Sequence, residues 1–453
     1  MHTLESLRTG ALAGHKRVQL RGGLTEFPRE IFQLADALEI LDLSGNALCA
    51  LPDDLPRLHQ LRTLFCSDNQ FTALPAVLGQ CPQLRMIGFK ANHIRTVPAQ
   101  SLPPGLRWLT LTDNHIAELP AEIGQCTELQ KLMLAGNRLR ALPASMAQCR
   151  RLELVRLAAN ELEQFPEFLL DLPRLSWLAF AANPFCAELE DLPLAQSDAA
   201  LSDVAWTSLD IGQMLGEGAS GVIHRAAHVS DGVAQPAAVK LFKGRMTSDG
   251  LPRSEMAACL RAGRHPHLID LRGRVHAHPQ GTDGLVMDLV DAAFQNLAAP
   301  PSLDSCTRDV YAPECRFDLA TALGIASAVA SAVRHLHDRG ILHGDLYAHN
   351  MLHKGHGQVL LGDFGAASMY ASLASGLGPK LQRLEARAFG CLLEELLDRT
   401  EITGIFEPLA EVLRSLKARC MSELPAQRPL FAEIDDTLAR ATAAFLLRTT
   451  LQH

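Results

Sequence analysis

The chain has 453 residues, 47% hydrophobic and 20% charged, with a formal net charge of −8 and a pI near 6.1. This is globular composition, long enough for two or three domains, and its mild acidity argues against a general binder of nucleic acid or anionic membrane. No apolar run approaches the roughly 20 residues that span a bilayer, and Met1–Arg17 lacks the apolar core of a signal peptide, so a soluble, cytoplasmic protein is expected.

The first element in chain order is a repeat. The pattern L-x-x-L-x-L-x-x-N starts at Leu38 and places asparagines at 46, 69, 92, 114, 137, 160 and 183, in steps of 23 with a single step of 22. Most copies continue into Leu-Pro or Phe-Pro, as at Leu51-Pro52 and Phe165-Pro166, and a degenerate copy with Gly23 at the Asn position precedes them. Seven registered copies resemble the leucine-rich repeat family. That resemblance implies a solenoid over 1–187 in which each unit adds a short parallel strand and its leucines face inward. One unit cannot bury its own apolar face, so stacking supplies the core and the ends need caps, for which 1–17 and Glu188–Asp203 are candidates. Cys81, Cys126 and Cys149 share the repeat position of Leu58 and Leu172 and read as small buried hydrophobes rather than disulfide halves. Residues six and four before each Asn are expected to face outward. Ile40, Phe65, Met86, Trp108, Met133 and Trp177 fall in these lanes, an apolar surface suited to a protein partner.

After a capping or linker segment at 188–205, the motifs change. Gly216, Gly218 and Gly221 form a G-x-G-x-x-G between two strands, and Ala237-Ala238-Val239-Lys240 follows about 20 residues on. Glu255 is the only acidic residue between Asp249 and Asp270. His343-Gly344-Asp345-Leu346-Tyr347-Ala348-His349-Asn350 fits H-x-D-x-x-x-x-N, and Asp363-Phe364-Gly365 comes 13 residues after its Asn. In this order the motifs resemble the protein kinase family. The expected architecture is therefore an α/β leucine-rich repeat solenoid followed by an α+β bilobal kinase-like domain over 206–445, with the small lobe at 206–290 and the large lobe at 291–445.

The resemblance implies ATP and Mg²⁺ as cofactors and assigns roles residue by residue. The glycines cover the phosphates, Lys240 positions them, and Glu255 pairs with Lys240. Ile223, Ala238 and Leu352 would sandwich adenine, with Met287 as gatekeeper and Asp288 to Val290 as the hinge. Asp345 would take the proton of a substrate hydroxyl, and Asn350 and Asp363 would bind the metal. The implied activity is a protein kinase, serine/threonine favoured. A kinase-like scaffold acting through the repeats, and a small-molecule phosphotransferase, are the alternatives.

Four departures accompany the resemblance. Gly344 replaces the Arg of H-R-D, and Tyr347 stands where serine/threonine kinases carry a Lys. Glu385 replaces the Asp of D-x-W-x-x-G. No A-P-E lies between Gly365 and Glu385, which leaves Arg428 without its usual acid. Ser368, Tyr370, Ser372 and Ser375 in the short segment after D-F-G are candidate autophosphorylation sites. The insert Asp291–Arg316 reads as a loop with no assignable role.

Overall fold

A computed structural model describes residues 2–186 and 202–450, apart from 219, 231, 244–245, 356, 371–375 and 403–405. By contacts the chain forms two compact units, Met1–Leu175 with Asn183–Phe185, and Ser176–Ala182 with Cys186–His453.

Each repeat contributes one three-residue strand: β1 Arg17–Gln19, β2 Ile40–Asp42, β3 Thr63–Phe65, β4 Met86–Gly88, β5 Trp108–Thr110, β6 Lys131–Met133, β7 Leu154–Arg156 and β8 Trp177–Ala179. The strands follow one another in sequence order. In the parallel pairs the register sets equivalent repeat positions side by side, Ile40 against Thr63 and Thr63 against Met86. The middle residue of each strand points inward, and Leu41, Leu64, Ile87, Leu109, Leu132 and Val155 are all fully buried. In most repeats a Pro then opens a short 3-10 turn that carries the chain back to the next strand. At the N-terminus, Thr3 caps the short helix α1 (Leu4–Arg8), which buries Leu7.

The asparagines explain why the repeat is so strict. The residue before each is in the left-handed region: Gly45, Asp68, Ala91, Asp113, Gly136, Ala159 and Ala182 all have φ between 51° and 72°. Such a turn leaves backbone groups unpaired inside the core, and the Asn amide satisfies them. Asn114 accepts from the Ile94 N–H at 2.9 Å and donates to the carbonyls of Phe89 (2.9 Å), Leu111 (3.0 Å) and Thr112 (3.2 Å). Alanine there removes this set from a buried site. Asn114→Ala is expected to cost about 2–3 kcal/mol, read as a lowered denaturant midpoint for the transition of this unit. The repeat cysteines are also inside, and burial pushes the thiol of Cys81 to about 11 and that of Cys149 to about 12.

The second unit opens with a six-stranded sheet. Its strands are β9 Ser202–Ala205, β10 Leu209–Glu217, β11 Gly221–Ser230, β12 Val233–Phe242, β13 Leu271–His276 and β14 Gly284–Asp288, in the spatial order 10-11-12-14-13-9. The linker proposed from sequence lies outside the described residues up to 201. From Ser202 its end is a strand, parallel to β13. Val204, Ala226, Ala237, Val239, Val275 and Val286 form the core of the sheet. Helix α2 (Pro252–Ala262) turns Met256 toward Phe242 and Leu285.

The rest of the unit is mostly helical: α3 Leu319–Asp338, α4 Leu377–Leu397, α5 Glu407–Cys420 and α6 Phe431–Thr450. By length and composition alone α3 is long and apolar enough to cross a membrane, as the buried core helix of a globular lobe also can be. Twelve of its residues are buried, and it is tied to α6 by Arg334–Asp435 at 3.0 Å, so it is the central helix of this lobe. Four small strands follow α3: β15 Ile341–Leu342, β16 Met351–His353, β17 Val359–Leu361 and β18 Ser368–Met369. The β15–β18 and β16–β17 pairings frame the loop that carries Asp345 and Asn350.

Candidate functional site

The Lys240–Glu255 pair and two further stretches of chain meet at the site. Lys240 leaves β12 opposite Ile223 of β11 and Leu285 of β14. Its ammonium pairs with the Glu255 carboxylate from α2, and both are buried. Burial alone would lower the Lys240 pKa, but the charges of Glu255 and then Asp363 outweigh it and hold the ammonium above its ordinary value. Asp363 is thereby within electrostatic reach of this pair. Gly365 closes the arrangement, since a Cβ there would stand 3.1 Å from Asp363 Oδ1 and 3.8 Å from Glu255 Oε2.

The loop after β15 supplies the first of these stretches. Asp345 is half-buried, and Asn350 donates its amide to Asp345 Oδ2 at 2.8 Å and to the Asp345 carbonyl at 3.0 Å. That leaves the Asn350 side-chain oxygen available as a hard ligand. His343 Nδ1 accepts from the Asp345 N–H at 3.3 Å, so its Nε2 carries the hydrogen and donates to the Gly362 carbonyl at 3.0 Å. The second, around Asp363, is stitched on by the Gly362 N–H to the Asn350 carbonyl (3.0 Å) and by Phe364, whose ring lies 5.3 Å from that of His343. Asp363 itself is exposed with φ +53°, turned out of the strand direction. An exposed carboxylate, an amide oxygen and a nearby buried ammonium fit a divalent cation bound with phosphates.

The remaining predicted positions surround this centre. Gly216 and Gly218 have open space where a side chain would be, whereas a Cβ on Gly221 would sit 2.5 Å from the Leu241 carbonyl oxygen. Ala238 faces Met287 across β12 and β14. Met287, Asp288 and Val290 are partly open, and Arg272 anchors Asp288 at 2.5 Å. Leu352 lies in β16, beside the loop.

The departures have physical explanations. Gly344 has φ +74°, and a Cβ there would meet the carbonyl oxygens of Leu178 and Ala366, both at 2.6 Å. No arginine fits. Glu385 of α4 accepts from the Gly344 N–H at 2.8 Å, the His343 N–H at 3.3 Å and His337 Nε2 at 2.7 Å. Burial pushes its pKa up, but these bonds outweigh burial and hold it below the usual range. The longer carboxylate thus serves as the anchor of the loop. Arg428 is buried and donates to the Ser422 carbonyl at 2.9 Å.

Other expectations are corrected. Met86 and Trp177 are buried, not exposed. Met86 is flanked in register by Thr63 and Trp108. Trp177 lies face to face with Tyr347, ring centroids 4.2 Å apart and planes within 9°. Ile40, Phe65, Trp108 and Met133 remain partly open, with Lys131 over the Trp108 ring at 4.1 Å. Ser368 and Tyr370 are buried. Ser368 Oγ accepts from the Phe180 N–H, and Tyr370 donates its hydroxyl to the His337 carbonyl. Neither presents a hydroxyl for modification, and Ser372 and Ser375 lie outside the described residues.

The unassigned insert reaches the loop. Asp309 accepts from His349 Nδ1 at 2.7 Å and from the His349 N–H at 3.1 Å, next to Asn350. Burial would lower the His349 pKa, and the Asp309 bond and charge raise it beyond that loss. Arg308 ties the same insert to Glu394 and Glu395 of α4, both at 2.9 Å. An acid in an irregular segment carried no signal that could have marked it.

Residues 209–380 match the protein kinase domain family model. A similar relative is the serine/threonine-protein kinase PITSLRE of Drosophila melanogaster, 28% identical over 158 residues, which is 34% of this chain. The matched part spans 15% of the length of that relative. Lys240, Glu255, Asp345, Asn350 and Asp363 all lie inside the range matched by the family model.

Proposed function

We propose, from the match of residues 209–380 to the protein kinase domain model, that the chain is an ATP- and Mg²⁺-dependent protein kinase that phosphorylates protein hydroxyls, serine or threonine by preference. The observation that carries this reading is the convergence of the buried Lys240–Glu255 pair, the Asp345–Asn350 pair and Asp363 on one site. The serine/threonine preference rests on the likeness to PITSLRE.

Lys240 would bind the nucleotide phosphates, kept charged and aimed by Glu255. Asn350 and Asp363 would hold the magnesium through oxygen. When bound, Mg·ATP supplies the phosphoryl group and neutralises the charge that develops on its transfer. Asp345, oriented by Asn350, would accept the proton of the substrate hydroxyl as its oxygen bonds to phosphorus and the nucleotide diphosphate leaves. We read the first unit as a leucine-rich repeat solenoid that recruits a protein partner or substrate on the lane of Ile40, Phe65, Trp108 and Met133. A cytoplasmic location belongs to the same reading.

The test is incubation of the full chain with Mg²⁺ and ATP, followed by mapping of phosphosites on the chain and on added casein by mass spectrometry, with Lys240→Ala in parallel. Incorporation that disappears in Lys240→Ala supports a kinase. Nucleotide binding with no transfer favours a scaffold built on the same fold, a reading that the buried Tyr347 in place of a loop lysine keeps in view.

A further inference from the structure

The segment Ser176–Ala182 belongs to the second compact unit, although its sequence is that of a repeat. Its described contacts there fall on parts of the chain that frame Asp345. The Trp177 ring stacks on Tyr347, and its Nε1 donates to the Leu346 carbonyl at 3.2 Å. The Phe180 N–H donates to Ser368 Oγ at 2.9 Å, beyond Asp363-Phe364-Gly365. Arg387 of α4 donates to Ser176 Oγ at 2.7 Å. The Leu178 carbonyl stands where a side chain on residue 344 would begin. Trp177 is 1% exposed and Tyr347 5% exposed, so the stack is a buried joint.

We propose that Ser176–Ala182 is a positioning element of the catalytic loop, with Trp177 as its principal positioning residue. The proposal rests on the kinase reading for its meaning in catalysis. The loop from His343 to Asn350 has little regular structure of its own, so groups outside it must fix its backbone. Glu385 fixes its start through residues 343 and 344, and Asp309 fixes its end through residue 349. Trp177 fixes the middle, at the two residues that follow Asp345. Asp345 stays partly open to solvent, so the segment braces the loop without burying that residue. Its contacts fall on Leu346 and Tyr347, directly after Asp345, so the element acts on the hydroxyl side of the reaction rather than on nucleotide binding.

The test uses the full chain with Trp177→Ala, Trp177→Phe and Ser368→Ala. It reads amide hydrogen exchange by mass spectrometry together with kcat and the KM for ATP on casein. In Trp177→Ala, exchange over 343–350 is expected to quicken by about tenfold or more and kcat to fall by roughly as much. The KM for ATP should stay within about twofold, since the phosphate-binding side is untouched. Trp177→Phe keeps a stacked ring and should recover most of both losses. Ser368→Ala should loosen 366–370, and it keeps the test decisive if Trp177→Ala does not fold. Unchanged exchange over 343–350 in a folded Trp177→Ala would overturn the proposal. So would a rise in kcat, which would make the segment a block on the site. If the wild-type chain transfers no phosphate at all, the kinase reading fails, while the exchange pattern still decides whether the segment positions the loop.

Discussion

Replacing Asp345 with alanine is expected to slow phosphoryl transfer by about a hundred- to ten-thousand-fold while nucleotide binding persists. The reasoning is geometric. When the side chain is removed, Asn350 keeps a second acceptor, the Asp345 carbonyl at 3.0 Å. The metal-binding side should survive the substitution. What disappears is the one carboxylate on this loop, the group assigned to take the hydroxyl proton. Asp345→Asn sharpens the point, because an amide of the same shape fills the space but is a far poorer base. Phosphate incorporation measured at saturating ATP, beside the affinity for a non-hydrolysable ATP analogue, separates the two effects. Incorporation at the wild-type rate in either variant would remove Asp345 from the role of base.

The candidate site was legible in the sequence because the kinase motifs use few residue types at nearly fixed separations. Lys240, Glu255, Asp345, Asn350 and Asp363 were marked by their resemblance to kinase motifs, and the structure brings them near one another. The solenoid was legible for a different reason. A left-handed residue before each Asn recurs in every unit, and one buried amide must satisfy several backbone groups each time, so the pattern tolerates little drift. Strand alternation also correctly turned Leu41, Leu64 and Ile87 inward.

Alternation says which way a side chain leaves its strand, and nothing about what covers it afterwards. Trp177 leaves β8 on the outward face, as expected, and is then buried by Tyr347, 170 positions away in sequence. The same limit applies to Ser368 and Tyr370, polar residues in a short segment whose hydroxyls turn out to serve as internal bonds. Asp309 could not be found at all, because its partner His349 is 40 residues distant and the insert carrying it has no periodicity. Glu385 was visible as a departure from the family pattern. Its ability to do the work of the shorter acid depended on where α4 places its backbone.

The second large effect is expected at that residue. Glu385→Ala should destabilise the second unit by about 4 kcal/mol, in the range found when one partner of a buried ionic or strongly hydrogen-bonded set is removed. Three donors lose their acceptor together: the N–H groups of His343 and Gly344, and His337 Nε2, which is itself buried against Phe431 at 4.9 Å. Water cannot replace the carboxylate without opening the joint between α3, α4 and the loop, so the loss should appear in both the melting temperature and the rate of transfer. Glu385→Asp retains the charge but is shorter by one methylene. It can hold the loop or His337 well, not both, and about 1–2 kcal/mol is expected. The pH dependence carries the same signature. Because the folded pKa of Glu385 is depressed below 4.5, its ionised form contributes stability above that pH, and the contribution is lost as pH falls through the folded value. Glu385→Gln, which cannot ionise, should lack that part of the acid-induced loss and start from a lower stability at neutral pH. Thermal melts of the two chains from pH 7 down to pH 3 would show it. Parallel curves would mean that Glu385 is not the charged anchor of the loop.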